Sequence, residues 1–113
     1  MNVLVNPVPG RTPLELKAQW DRGEKVFLLD VRQPEEAAIA TLGGTLIPLG
    51  ELPDRIKEIE AVRNEEVVVL CHHGMRSAHA AKFLIAEGFT RVFNLSGGID
   101  RWATDVDPTL PRY

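Results

Sequence analysis

Short apolar segments alternate along this chain with segments whose apolar residues recur at helical spacing, and this alternation constrains the fold most. Four segments have the length and the β-branched or aromatic composition of strands: 26–30 (VFLLD), 45–47 (TLI), 67–70 (VVVL) and 91–94 (RVFN). Continuous apolar runs of this kind are typical of strands covered on both faces. The sequence therefore predicts an α/β fold, in which a parallel sheet is flanked by helices on both faces.

Helical signals lie between these strands. Thr12 is a candidate N-cap, Pro13 follows at the first helical position, and Glu15 completes a capping box, so a helix should begin here and end at about Arg22, before Gly23. The other predicted helices cover 34–40, a segment around 52–59, 76–87, and 99–103. The last residues, DPTLPRY, are predicted to be irregular because they contain two prolines.

The size and charge of the chain exclude several classes of protein. Its 113 residues suit a single domain spanning 1–113 that can bury a core without a metal or a disulfide. The net charge of −3 and the lack of a basic run argue against nucleic acid as a partner. Residues 1–10 lack the features of a signal peptide, and no apolar run has membrane-spanning length. We expect a cytoplasmic protein that needs no membrane and no cofactor; the oligomeric state is not readable from the sequence.

The chain contains a single cysteine, Cys71, directly after the most apolar predicted strand. Ligands of open α/β sheets bind beyond the carboxyl ends of the strands, which is where this residue falls. A helix is predicted to start a few residues later, so its unpaired N–H groups and partial positive charge would face the sulfur. Gly74 permits a tight turn, and Arg76 adds a fixed positive charge.

These features predict a thiolate whose pKa lies well below the usual range of a cysteine. The alternative is a buried structural cysteine, because free cysteines are among the most buried residues. We favour the reactive interpretation, since the residues after Cys71 are mostly polar, basic or glycine.

Other residues of this segment have competing interpretations. His72 and His73 are either exposed residues that add positive potential or participants in acid–base chemistry. A metal site is not expected, because adjacent residues rarely direct their side chains at one ion and the usual zinc spacings are absent. Met75 is expected in packing or at the lip of a pocket. Ser77 is expected to donate its hydroxyl to the loop or to cap the helix.

Asp30 and Arg32 follow the carboxyl end of another predicted strand. They could line the pocket of Cys71. The interpretation that we favour is a structural ion pair or cap network, with Arg32 held by Glu35 or Glu36.

Four segments, in order along the chain, resemble the motifs of the rhodanese family. The loop 71–77 (CHHGMRS) is similar to the pattern Cys-x-x-Gly-x-Arg-Ser/Thr, and 28–36 (LLDVRQPEE) resembles an Asp-Val-Arg segment followed by an acidic helix. The stretch 42–52 (LGGTLIPLGEL) resembles a Gly-x-x-x-Ile-Pro-Leu motif, and 89–102 (FTRVFNLSGGIDRW) resembles the Gly-Gly-x-x-x-Trp segment that closes the domain.

The resemblance implies a five-stranded parallel sheet and sulfur transfer by double displacement. It implies that Cys71 takes sulfur from a donor such as thiosulfate, holds it as a persulfide and passes it to an acceptor. The residues from His72 to Ser77 would then bind the anionic substrate, with Arg76 as the main fixed charge. The implied partners are a small sulfur-containing anion and, in the cell, a persulfidated donor or a sulfur-carrier protein.

Two other functions compete with this one. Cysteine phosphatases and arsenate reductases also place a cysteine and an arginine on an anion-binding loop. Here four residues separate Cys71 from Arg76, one fewer than in those phosphatases, and the tighter loop suits a sulfur atom better than a phosphoryl group. A non-enzymatic binding module is the second alternative, and the presence of Cys71 in a complete loop argues against it.

Overall fold

The computed structural model describes residues 8–113, so the N-terminal residues 1–7, on which the expectation about a signal peptide partly rests, lie outside the described part. The strands are β1 (Gly10–Arg11), β2 (Phe27–Asp30), β3 (Thr45–Leu46), β4 (Val67–Leu70) and β5 (Val92–Leu95). The helices are α1 (Pro13–Asp21), α2 (Pro34–Ile39), α3 (Leu52–Arg55), α4 (Met75–Ala86) and α5 (Gly98–Asp105). Short 3-10 segments at Leu49–Glu51 and Ile56–Val62 flank α3.

The five strands form one parallel sheet in the order β1-β5-β4-β2-β3. Strand β4 lies at its centre, paired with β2 on one side and β5 on the other. The carboxyl ends of all strands therefore lie along the same edge of the sheet, and the residue after β4 is at the middle of that edge. The predicted α/β fold is confirmed.

Two apolar clusters show that both faces of the sheet are covered. Val67 and Val69 belong to a cluster with residues of α3 and α4, among them Leu52 and Leu84. The other two residues of β4, Val68 and Leu70, belong to a second cluster, which includes Leu16 of α1 on the opposite face of the sheet. Because successive strand residues point to opposite faces, a strand buried on both sides must be apolar throughout, as the four buried residues of β4 are.

Local signals located most elements within a residue or two. The capping box is formed as predicted: the Thr12 hydroxyl accepts a hydrogen bond from the Glu15 N–H, and the Glu15 carboxylate accepts one from the Thr12 N–H. Gly23 follows α1 with a φ of +77°, which suits a glycine at a helix end.

Two elements differ from the prediction based on residue patterns. Strand β1 has only two residues, and nothing in its composition distinguishes it from a loop; only its pairing with β5 makes it a strand. The third predicted helix is a single α-turn that continues as the 3-10 segment Ile56–Val62. Its buried residues Leu52 and Ile59 still face the core, because a face of apolar residues can be presented by either type of turn.

Within residues 8–113, no helix has the length and apolar composition needed to cross a membrane.

Candidate active site

The loop after β4 connects the centre of the sheet to the start of α4. Cys71 follows the last residue of β4, and α4 begins at Met75. Gly74 occupies the N-cap position with a φ of +113°, a backbone conformation that residues other than glycine rarely adopt. The glycine thus allows the chain to turn back over the sulfur within four residues.

The sulfur of Cys71 is surrounded by hydrogen-bond donors from this turn. The Gly74 N–H donates to Sγ at 3.0 Å, and the Ser77 hydroxyl lies 3.4 Å from it. Burial raises the pKa of the thiol, but the Ser77 hydroxyl and the N–H groups of Ser77, Gly74 and His73 outweigh burial, so the pKa is lowered overall. The side chain is buried, but the hydrogen-bond donors at Sγ favour its thiolate form, which a wholly apolar environment would not do.

Asn94, at the end of β5, fixes this arrangement and was not identified from the sequence. Its Nδ2 donates to the Gly74 carbonyl at 3.0 Å, and its Oδ1 accepts from the Ser77 hydroxyl at 2.5 Å. Of the two roles predicted for Ser77, the structure shows the first: its hydroxyl binds the loop, and also β5, and it does not cap α4. The only sequence signal for Asn94 is a polar residue in an otherwise apolar strand.

The start of α5 supports the loop from the other side. The N–H groups of Ile99 and Asp100 donate to the carbonyls of Cys71 and His72 at 2.9 and 3.1 Å. A Cβ atom on Gly98 would lie 2.3 Å from the His72 carbonyl oxygen, so only glycine permits this approach. These contacts give a structural reason for the Gly-Gly pair in the 89–102 segment.

Arg76 is bound by Glu36 of α2. Its two terminal nitrogens donate to the two carboxylate oxygens at 2.7 and 2.8 Å. The Arg76 guanidinium holds the pKa of Glu36 down at about 2. The sequence predicted a fixed charge of Arg76 within or beside the sulfur cradle, and the structure adds that a carboxylate pairs with this charge.

Aromatic rings cover the outer side of the loop. The ring of His72 stacks between His73, with centroids 3.9 Å apart, and Tyr113, with centroids 3.8 Å apart. Burial lowers the pKa of His72, which favours the neutral form of this ring. Met75 is 77% exposed, which excludes the packing role; its position at the lip of a pocket stays a prediction.

Among residues 8–113, one group of side chains could hold a metal ion: the potential ligand atoms of His72, His73 and Asp100 all lie within 4.8 Å of one another. The two histidines do therefore come together, contrary to the reasoning from their adjacency. The Asp100 carboxylate, however, already binds Arg112 through two hydrogen bonds of 2.9 and 3.1 Å. A metal ion would have to displace that arginine, and the expectation of no metal site stays a prediction.

Asp30 and Arg32 form a fully buried ion pair. Arg32 Nε and Nη2 donate to the two carboxylate oxygens of Asp30 at 2.9 and 2.7 Å. Arg32 also donates to the Ala40 carbonyl and to the Tyr113 hydroxyl. The structural interpretation of this pair fits. Asp30 is the main partner of Arg32, and Glu36 binds Arg32 only through its backbone carbonyl, which accepts from Nη1 at 3.4 Å, because its carboxylate binds Arg76.

A separate cleft of about 240 Å³ opens at the other end of the sheet, lined by Trp20, Leu28 and Gly43 among others. None of its lining residues belongs to the loop 71–77, so it has no part in the chemistry of Cys71.

The sequence matches the model of the rhodanese-like domain over residues 12–105. It is 32% identical to the putative sulfurtransferase YtwF of Bacillus subtilis, an alignment that covers 82% of this chain and 88% of that protein. It is 37% identical to the adenylyltransferase and sulfurtransferase MOCS3-1 of Zea mays over 88% of this chain. The chain spans only 22% of that maize protein and 31% of another plant relative.

Solved structures give the same result. A rhodanese-like domain protein from Staphylococcus aureus superposes with a TM-score of 0.78 and 30% sequence identity. The superposition covers 94% of this chain and 99% of the other.

Proposed function

Because the chain belongs to the family of rhodanese-like domains, we propose that it is a sulfurtransferase in which Cys71 carries the transferred sulfur as a persulfide. The observation that supports this most is the position of Sγ at the centre of a turn of N–H and O–H donors, with the Gly74 N–H 3.0 Å away. Such donors stabilise an anionic sulfur, whether it is the thiolate or the outer sulfur of a persulfide.

In the first half-reaction, the Cys71 thiolate attacks the outer sulfur of a donor such as thiosulfate. A sulfur–sulfur bond forms at Cys71 while the bond within thiosulfate breaks, and sulfite leaves with the electron pair of that bond. The lowered pKa of Cys71 favours the thiolate form of this nucleophile, which reduces the need for a general base. The enzyme now holds a Cys71 persulfide, whose terminal sulfur is negatively charged.

In the second half-reaction, a nucleophilic acceptor attacks the outer sulfur and restores the Cys71 thiolate. Cyanide serves as acceptor in the assay and becomes thiocyanate; a thiol or a partner protein takes this place in the cell. The names of related proteins, which include an adenylyltransferase and sulfurtransferase, favour a sulfur-carrier protein or a persulfidated protein among the physiological partners.

The competing candidate is a cysteine phosphatase, which uses an arginine of the loop to bind the phosphoryl group. Both hydrogen bonds of Arg76 to a carboxylate go to Glu36, and this pairing leaves no free guanidinium on the loop to receive a phosphate. The same pairing also affects other small anions, so the support for sulfur as the transferred group comes from the donors at Sγ, which stabilise an anionic sulfur without that guanidinium.

The test is sulfur transfer from thiosulfate to cyanide by the purified protein, together with its intact mass after incubation with thiosulfate alone. We expect thiocyanate formation, and one added sulfur atom that is absent in Cys71→Ser. Hydrolysis of an aryl phosphate without sulfur transfer would replace the proposal with the phosphatase. If the protein shows neither sulfur transfer nor phosphate hydrolysis, the non-enzymatic binding module becomes the favoured function.

A further inference from the structure

The charge of Arg76 is neutralised before any substrate arrives. Glu36 binds it through two hydrogen bonds of 2.7 and 2.8 Å, in the paired geometry that matches a guanidinium to a carboxylate. The side chains are 36% and 19% exposed, so the pair is only partly screened by water. An anion that approaches Cys71 meets a positive and a negative charge side by side.

Glu36 is itself held in place by two further donors. The Tyr113 hydroxyl donates to its Oε1 at 3.0 Å, and the Gln33 N–H donates to its Oε2 at 3.0 Å. The carboxylate therefore accepts four hydrogen bonds from three residues, and it stays ionised throughout the neutral range. It cannot turn away from Arg76 without breaking contacts that a small anion would not replace.

The other charged side chains around the loop are also paired. Arg112 binds Asp100 beside His73, and Arg32 binds Asp30 beneath the loop. Burial lowers the pKa of His72 and so disfavours a positive charge on this ring. A dianion would thus find backbone donors near Cys71 and three guanidinium groups that already have carboxylate partners.

We propose that Glu36 is a specificity-determining residue, which cancels the charge of Arg76 and makes the Cys71 site favour uncharged or protein-bound persulfide donors over small dianions such as thiosulfate. The choice of donor rests on the proposed function. The effect of Glu36 on the electrostatic potential at Cys71 does not depend on it, and the two can be measured separately.

The potential at Cys71 is measured by the ratio of two alkylation rates. Iodoacetate is an anion and iodoacetamide is neutral, and both react with the same thiolate, so their rate ratio reports the local charge independently of the thiolate fraction. Removing one negative charge at short range should raise this ratio in Glu36→Gln by about five-fold. The ratio should fall by a similar factor in Arg76→Gln and return to within about two-fold of wild type in the double variant.

The matched control is Glu35→Gln, on the same helix and with the same change in net charge. Glu35 is exposed and contributes to none of the hydrogen bonds that hold Arg76. Its ratio should stay within about two-fold of wild type. If Glu36→Gln does not fold, the comparison of the double variant with Arg76→Gln still isolates the charge of Glu36.

In the transfer assay, Glu36→Gln should lower the KM for thiosulfate several-fold while kcat changes little. If the ratio of the iodoacetate rate to the iodoacetamide rate is the same in wild type, Glu36→Gln and Arg76→Gln, the inference is overturned, even if sulfur transfer is observed. An unchanged KM for thiosulfate would overturn the assignment of specificity. If no variant transfers sulfur but the ratios follow the charges, the proposed function fails while the electrostatic role of Glu36 stands.

Discussion

Removing the Ser77 hydroxyl tests what lowers the pKa of Cys71. This hydroxyl is fully buried, 3.4 Å from Sγ and 2.5 Å from Asn94 Oδ1. A hydroxyl carries one proton, so the thiolate and the amide oxygen compete for it. We expect Ser77→Ala to raise the pKa of Cys71, because the thiolate loses a donor while the neutral thiol loses little.

The size of the effect follows from the strength of this contact. A hydrogen bond to a charged group contributes about 1.5–3 kcal/mol. The contact is long and its proton is shared, so the lower end of that range applies here. About 1.4 kcal/mol corresponds to a factor of ten, and Ser77→Ala should therefore contain about ten-fold less thiolate at a fixed pH below the pKa.

The measurement is the rate of Cys71 alkylation by iodoacetamide as a function of pH. Wild type should react well below the pH at which an ordinary thiol ionises, and Ser77→Ala should show the same profile displaced to higher pH, with a similar plateau. Thr104→Ala is the control, since its exposed hydroxyl lies on α5 and donates to the Arg101 carbonyl. Superimposable profiles for Ser77→Ala and wild type would refute the role of the hydroxyl, provided that thermal unfolding shows a folded variant.

Three further predictions concern stability, measured by denaturant unfolding. Gly98→Ala should lose about 2–3 kcal/mol, because its Cβ would meet carbonyl oxygens at 2.3 and 2.6 Å at a φ of +64°, whereas Gly50→Ala has open space and should be nearly neutral. Asp30→Asn should lose about 3–5 kcal/mol because it leaves a buried guanidinium unpaired, while the exposed pair broken in Asp21→Asn should cost under about 1 kcal/mol. The carboxyl pKa of Glu36 is depressed to about 2, so Glu36 contributes at most about 3 kcal/mol to the free energy of unfolding. This contribution is complete above the ordinary pKa of a glutamate and is lost as the pH falls toward 2. The acid limb, meaning the fall of the unfolding free energy in this pH range, should therefore be flatter in Glu36→Gln.

Each of these predictions has an outcome that contradicts it. Equal stability of the two glycine variants would mean that α5 does not approach the loop as closely as described. A small loss of stability in Asp30→Asn would show that the Arg32 guanidinium finds another partner. An acid limb that is identical in Glu36→Gln and wild type would place the acid-sensitive pair elsewhere.

The nucleophile and its local setting were predictable because their signals are local. An apolar run predicts the central strand within its true bounds, and the residues that follow Cys71 predict a turn into a helix. The capping box of α1 is equally local, since its donors and acceptors lie three residues apart. Such features depend on backbone preferences and side-chain periodicity over a few residues, which a sequence displays directly.

The partners of these groups were not predictable, because a parallel sheet brings together residues from distant parts of the chain. Arg76 could have faced the sulfur or any nearby carboxylate, and Glu36, 40 positions away, becomes its partner only when α2 packs beside the loop. Asn94 and Tyr113 likewise reach the site from β5 and the end of the chain. Residue patterns alone identify the Cys71 sulfur as the candidate nucleophile and predict the turn on which it lies. The tertiary structure decided which charges remain free around that atom, since pairing depends on distances that only the packed strands and helices set.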